Sequence, residues 1–414
     1  MLLALALALA WADLASAQSD RGGIPGPGDD REGYERSDYV SRSRDLTAES
    51  GRPARLFRFV EQPPLGLPPV PVPTDNPVTE AKIALGRKLF FDRRLSGNGT
   101  MSCAMCHVPE HGFTHNEMKT AVGIEGRTVR RNAPTIYNTA YLTRLFHDGR
   151  EYALETQIWS PLLAGNEMGN RSVGELIRKI SALPDYDGLF EQSFDRGPGM
   201  ETIGQALASY ERTLVSGESA FDRWYYGQQR DALSESARRG FALFTGRGRC
   251  VMCHTIGADS ALFTDNAFHN TGVGYEATLK RPDATTTLPV APGQQLTVTT
   301  AGFRSIGGLP PGDLGLYEVT GAPEDRWKYR TPSLRNVALT SPYMHDGSLA
   351  TLEEVIRFYE RGGIANELLD PLLEPLELTE QEAEDLVRFL RSLTGSNVNE
   401  LVDDARAAPV GGVD

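Results

Sequence analysis

The sequence predicts a mainly α protein of two similar helical units joined by long irregular loops. Three observations predict it. Six stretches space their apolar residues at helical intervals. A Cys-x-x-Cys-His motif occurs twice, at Cys103–His107 and Cys250–His254, each time just after an amphipathic segment. Residues 257–330 are rich in Gly, Pro, Thr and Asp with only short apolar runs, which reads as loop with one β-hairpin. The 414 residues suit two or three domains of about 150 each. Hydrophobic residues make up 40% and charged residues 23%, as in a soluble globular protein. A net charge of −13 argues against nucleic acid and anionic membrane surfaces as partners. It is compatible with a basic redox partner.

Leu2 to Trp11 is an uninterrupted apolar run, and Ala15-Ser16-Ala17 matches a small-residue cleavage site. Residues 1–17 are therefore expected to be a signal peptide cut after Ala17, with a periplasmic mature protein. No Lys or Arg precedes the run, so a buried N-terminal helix is the other reading. No later run reaches the roughly 18 apolar residues of a span, so membrane insertion is not expected. Residues 18–75 are Gly/Pro-rich and charged, with six prolines between Pro63 and Pro73. They read as a flexible extension or a strap on the body.

Helical spacing begins after Thr79 with Ala81, Ala84, Leu85 and Leu89, and Ser96-Gly97-Asn98-Gly99 breaks it before the first motif. It returns at Ser172–Ile180, Ile203–Leu214 and Ser234–Phe244, then at Leu352–Tyr359 and Thr379–Leu393. Thr379 to Glu382 forms a capping box. Residues 397–414 show no strong pattern. The segments Ala84–Phe90 and Arg239–Phe244 are alike and each leads into a cysteine pair. The simplest division is one domain over 76–230 and a second over 231–396.

All four cysteines lie in the two motifs, which leaves none for a disulfide framework. The spacing is that of c-type haem attachment. Cys103 with Cys106, and Cys250 with Cys253, reach the two vinyl groups of one haem each. His107 and His254 then lie under the irons as axial ligands. A Cys₄ zinc ribbon would place its pairs far closer together, and a redox pair has no use for the histidine. Two covalent haem c groups make the units cytochrome c-like.

Around the motifs stand the segments Leu89–Ser96, Arg131–Thr135, Phe146–Arg150, Pro161–Met168, Thr331–Val337 and Pro342–Gly347. In these the chain, from about residue 80 to 395, resembles the bacterial di-haem cytochrome c peroxidase family, in its MauG-like branch. The resemblance implies that the first haem binds hydrogen peroxide and the second handles electrons or stores oxidising equivalents. It implies that Gln157 and Glu167 stand over the first haem. A carboxyl there suits the proton transfer that peroxide cleavage needs; a solvated cap carboxylate is the bland alternative. It further implies Ca²⁺ near the domain interface, held by Asn132 and the carbonyls of Thr340 and Pro342. Hard oxygen donors suit that ion, although Asn132 could simply support a turn.

Three departures from the ordinary peroxidase pattern follow. Where that pattern has a histidine closing the first haem, this chain has Ile124, which cannot ligate; His111 or His115 would be the substitutes. The distal ligand of the second haem, ordinarily methionine, falls on Tyr359, a hard donor that lowers the iron potential; the alternative is a core aromatic. The family's inter-haem tryptophan falls on His147, and the surface tryptophan before the second motif falls on Gly248, so MauG's exact substrate relationship is not assumed for this chain. His269 reads as structural, and Arg150 and Arg335 as propionate partners or fold-bracing charges.

The expected function is an exported haem-dependent peroxidase or oxidase. It reacts with peroxide at an open first haem and shares oxidising equivalents with a Tyr359-ligated second haem. It would oxidise an electron-donor protein or a protein side chain. The alternatives are an ordinary cytochrome c peroxidase served by a small cytochrome or cupredoxin, and a non-catalytic electron carrier.

Overall fold

The computed structural model describes residues 51–279, 285–291, 294–299 and 312–408. The expected signal peptide, residues 18–50 and residues 409–414 lie outside the described residues. The fold is mainly helical. Among the described residues the only sheets are two two-stranded ribbons, one of them a hairpin of Thr285–Ala291 with Gln294–Thr299. In the other, Phe268–His269 runs antiparallel to Tyr329–Arg330. No described helix is long and apolar enough to cross a membrane.

Each half is organised around one crossed helix pair. In the first, Glu80–Phe91 packs on Met200–Glu211; in the second, Glu235–Thr245 packs on Glu380–Arg391. Their starts are capped as the sequence suggests. Thr79 Oγ1 accepts from Lys82 N at 3.2 Å, Ser234 Oγ from Ala237 N at 3.2 Å, and Thr379 shares a capping box with Glu382. Glycine lets both pairs cross closely. A Cβ on Gly86 would lie 1.9 Å from the Ala206 carbonyl oxygen, and one on Gly240 would lie 2.0 Å from that of Asp385. Gly240→Ala is therefore expected to lower stability by about 1–3 kcal/mol through overpacking, measured by denaturant unfolding of the haem-loaded protein.

The halves share further geometry. Asn138 and Asn336 both have positive φ (64° and 60°), as do Phe146 and Met344 (63° and 71°) and Gly149 and Gly347 (69° and 64°). Asn138 Oδ1 accepts from Ser216 N at 3.0 Å, and Asn336 Oδ1 from Gly395 N at 2.9 Å. One helical unit is thus built twice, which is why the segments around the two motifs look alike.

Two stretches differ from expectation. Residues 51–75 are not a flexible extension: Leu56 and Phe59 enter the first core, and Tyr141 Oη donates to the Pro68 carbonyl at 2.9 Å. The tail forms the helix Val398–Arg406, whose Leu401 and Ala405 join the same core. Asp404 Oδ1 accepts from Ala54 N at 2.8 Å and from Arg87 Nη1 at 2.6 Å, tying strap, tail and first helix together. Sparse apolar residues suffice here because they dock on a surface that the rest of the chain has already formed.

Candidate active site

Cys103–Cys106 forms a single helical turn, and His107 follows at its end. Cys250–Met252 makes a 3₁₀ turn leading to Cys253 and His254. None of the four cysteines is in a disulfide. His107 Nδ1 is 3.0 Å from the Phe113 carbonyl oxygen, and His254 Nδ1 is 2.8 Å from that of Phe263. Each ring donates its Nδ1–H there, which leaves Nε2 with its lone pair for a metal. Burial pulls the pKa of both histidines down and favours the neutral form a ligand needs.

The carbonyls are aimed by strained backbone. Phe113 and Phe263 are fully buried and have φ of 55° and 52°, a left-handed conformation rare for bulky residues. Sequence reasoning missed these two positioning residues. Their signal was the repeated Phe-Thr pair, Phe113-Thr114 and Phe263-Thr264, after each motif.

A cavity opens beside the first motif. Cys103, Cys106 and His107 line one part of it, and Gln157, Glu167, Glu211 and Arg330 also line it. Gln157 ends the short helix Leu154–Gln157. Glu167 sits in the turn that follows Pro161–Leu163. Burial pushes its carboxyl pKa up, and the Arg150 guanidinium partly offsets this. Ile124 N donates to the Glu167 carbonyl at 2.9 Å, so residue 124 stands beside Glu167. His107 is the only histidine lining the cavity. His111 instead bonds Asn116 on the surface, and His115 is buried with Nδ1 unpartnered. Glu211, missed from the sequence, is a desolvated carboxyl raised to about 8. Ser102 Oγ, also on the lining, has no hydrogen-bond partner.

At the second motif, Tyr359 lies on the helix Leu352–Glu360, its ring edge-on to Phe358 at 5.3 Å. Burial and the nearby Cys253 and Cys250 push its phenol pKa up, which places it at this motif. Its hydroxyl has no hydrogen-bond partner among the described residues. His269 is held between Asp370 at 2.5 Å and Asp265 at 2.9 Å, a structural clamp.

Between the halves, His147 Nε2 donates to the Asn132 carbonyl at 3.0 Å, and His345 stacks on Tyr329 with ring centroids 3.5 Å apart. Asn132 Nδ2 lies 2.8 Å from the Pro342 carbonyl oxygen, while Asn132 Oδ1 is buried without a partner. Arg150 pairs with Asp148 at 3.0 Å. Arg335 is not on the lining of the first cavity. It bridges Asp222 at 2.8 and 2.9 Å and is a fold-bracing charge.

The residues present fit two covalently held haems. Each site offers two thiols outside any disulfide and a buried imidazole held through Nδ1, and the first adds a cavity lined by both thiols and the histidine, with an orphaned hydroxyl. Comparison with known proteins agrees. The sequence model of the family described as "Di-haem cytochrome c peroxidase" matches residues 80–230. The cytochrome-c peroxidase IdrP1 of Denitromonas iodatirespirans is 41% identical over 339 residues, covering 80% of this chain and 86% of that one. The methylamine utilization protein MauG of Methylorubrum extorquens is 36% identical over 326 residues, covering 78% and 81%. Among solved structures, a MauG-like protein associated with microbial copper homeostasis superposes with a TM-score of 0.69 at 33% identity, covering 84% of this chain and 97% of that one. The di-haem peroxidase BthA of Burkholderia thailandensis gives 0.63 at 26%, covering 78% and 87%. With the paired motifs braced alike and relatives aligned over most of its length, this chain belongs to the di-haem cytochrome c peroxidase family and is a haem-dependent peroxidase or oxidase.

Proposed function

We propose that this protein is a MauG-like enzyme that takes peroxide at an open first haem and shares the oxidising equivalents with a second haem ligated by Tyr359. Its reductant is an electron-donor protein or an oxidisable protein side chain. The observation that carries the reading is the first cavity. His107 is its only histidine among the described residues, and position 124, joined by its backbone to Glu167, carries an isoleucine that cannot ligate. Bound haem c supplies an iron that binds peroxide and exchanges electrons. The protein supplies the rest. His107 and His254, held through Nδ1 by the Phe113 and Phe263 carbonyls, would hold the two haem irons. Glu167 holds a proton at its carboxyl and moves it from one peroxide oxygen to the other. The Gln157 amide orients the peroxide by hydrogen bonding. The overall balance is H₂O₂ with two electrons and two protons giving two waters. At the second site Tyr359 would hold the haem iron through its phenol oxygen, and a bound cation would offset the burial that raises its pKa.

Residues 76–230 and 231–396 act as the peroxidatic and the electron-storing units. Residues 1–17 direct export to the periplasm. A Ca²⁺ bound by Asn132, Thr340 and Pro342 supports their junction; the Asn132 amide beside the Pro342 carbonyl, with its Oδ1 orphaned, favours this. An amide turned the other way would present two oxygens to one ion.

The similarity to the cytochrome-c peroxidase IdrP1 supports a second reading, an ordinary cytochrome c peroxidase. Peroxide titration of the diferric protein separates the two. Mixing within milliseconds, followed by Mössbauer and EPR spectra, is expected to change the signals of both irons without prior reduction. In Tyr359→Met only the first iron's signal should change. A diferric protein inert until one haem is reduced refutes the open-site reading.

A further inference from the structure

Arg330 is a buried cation without an anion. It is 6% exposed. Its Nε donates to the Phe146 carbonyl at 3.3 Å and its Nη1 to the Thr331 carbonyl at 3.2 Å. No carboxylate pairs with it among the described residues. Burial alone accounts for its pKa, pulled down to about 10, whereas a nearby carboxylate would push the other way. Other arginines of this molecule are placed differently. Arg131 pairs with Asp148 and Asp313, Arg150 with Asp148, Arg212 with Glu155, and Arg335 with Asp222. An unpaired buried charge is costly, so buried charges are retained with partners.

Arg330 lines the first cavity, and among the described residues it is the one lining residue drawn from beyond Glu211. The second half of the chain thus reaches the first haem's chamber with a cation. The strand that carries it pairs Arg330 with Phe268 and Tyr329 with His269. His269 in turn lies with Asp265 and Cys253 in one cluster at the second motif. The guanidinium is thus anchored to the second haem's surroundings and directed at the first.

We propose that Arg330 is the partner of a propionate of the first haem, and that through it the second half of the chain sets the first haem's reduction potential. This rests on the first cavity holding haem c, whose anionic groups are its propionates. A guanidinium fork suits a carboxylate, and the neutral carbonyls at Nε and Nη1 leave the rest of the fork available. A fixed positive charge at the haem disfavours the ferric state relative to the ferrous. It therefore holds the potential up, and its removal lets the potential fall.

The test is a spectroelectrochemical titration of holo Arg330→Gln and Arg330→Lys beside the parent. His254→Met marks the second couple by changing its axial ligand, whether or not Tyr359 ligates. The proposal expects the first couple to move to more negative potential in Arg330→Gln with the second in place. Arg330→Lys, which keeps the charge, should recover most of the shift. An unmoved first couple in Arg330→Gln overturns it. So do equal shifts in both variants, which would mark a purely structural role. Should Arg330→Gln fail to fold, Arg330→Met takes its place beside Arg330→Lys: a negative shift of the first couple in Arg330→Met that Arg330→Lys largely recovers supports the proposal, and an unmoved first couple in Arg330→Met, or equal shifts in both, overturns it.

Discussion

Glu167→Gln is expected to slow the reaction of the diferric protein with peroxide by about 10²- to 10⁴-fold, the range of a lost general acid–base. Glutamine keeps the shape and the hydrogen-bonding reach but cannot carry a proton between the two peroxide oxygens. The raised pKa of Glu167 has burial as its cause and Arg150 as a partial offset. A carboxyl of raised pKa is a better proton acceptor and is protonated over more of the pH range. Stopped-flow mixing with peroxide measures the loss. Pyridine haemochrome spectra should show two haems per chain in the variant, because Glu167 plays no part in haem attachment. An unchanged rate would assign the proton transfer elsewhere in the cavity, with Glu211 the next carboxyl to replace.

The largest stability effect is expected at Asp222 and Arg335. Both side chains are almost wholly buried, and they meet through two hydrogen bonds of 2.8 and 2.9 Å. Arg335 also donates to the Ala261 carbonyl at 2.6 Å and to the Gly66 carbonyl at 2.6 Å, so the pair fastens the strap to the second half. The Asp222 carboxylate also accepts from Ser219 N at 2.8 Å and so caps the helix Ala220–Tyr225. Removing one partner leaves the other charge buried and alone. Asp222→Ala or Arg335→Met should therefore cost about 3–5 kcal/mol, read as a lower denaturation midpoint of the holo protein. The double replacement should recover part of the loss, since no lone charge remains. Equal losses in single and double variants would show that packing, and not the uncompensated charge, dominates.

The haem attachment sites were legible at once, because Cys-x-x-Cys-His is a local geometry contained within one turn. The six long helices were legible for the same reason: their periodicity and caps act over three or four residues. The Val398–Arg406 helix was not, since its acidic residues mask a short apolar stripe that gains meaning only against the first core. The sequence also left Arg335 undecided between propionate and brace. Its partners Asp222, Ala261 and Gly66 lie up to 269 positions away, so only the packed chain decides between them.

The same division runs through the active site. The sequence by itself determined which residues can do chemistry: four thiols in two motifs, their histidines, Tyr359, and the pattern that pointed to Gln157 and Glu167. Side-chain type and short-range spacing suffice for that. Tertiary structure alone decided what surrounds them. It turned the Phe113 and Phe263 carbonyls onto the motif histidines, desolvated Glu211 and set Arg330 from the second half into the first haem's chamber. Burial, and with it the strength of every charge and hydrogen bond in the site, depends on which distant segments meet, and no local window of the chain encodes that.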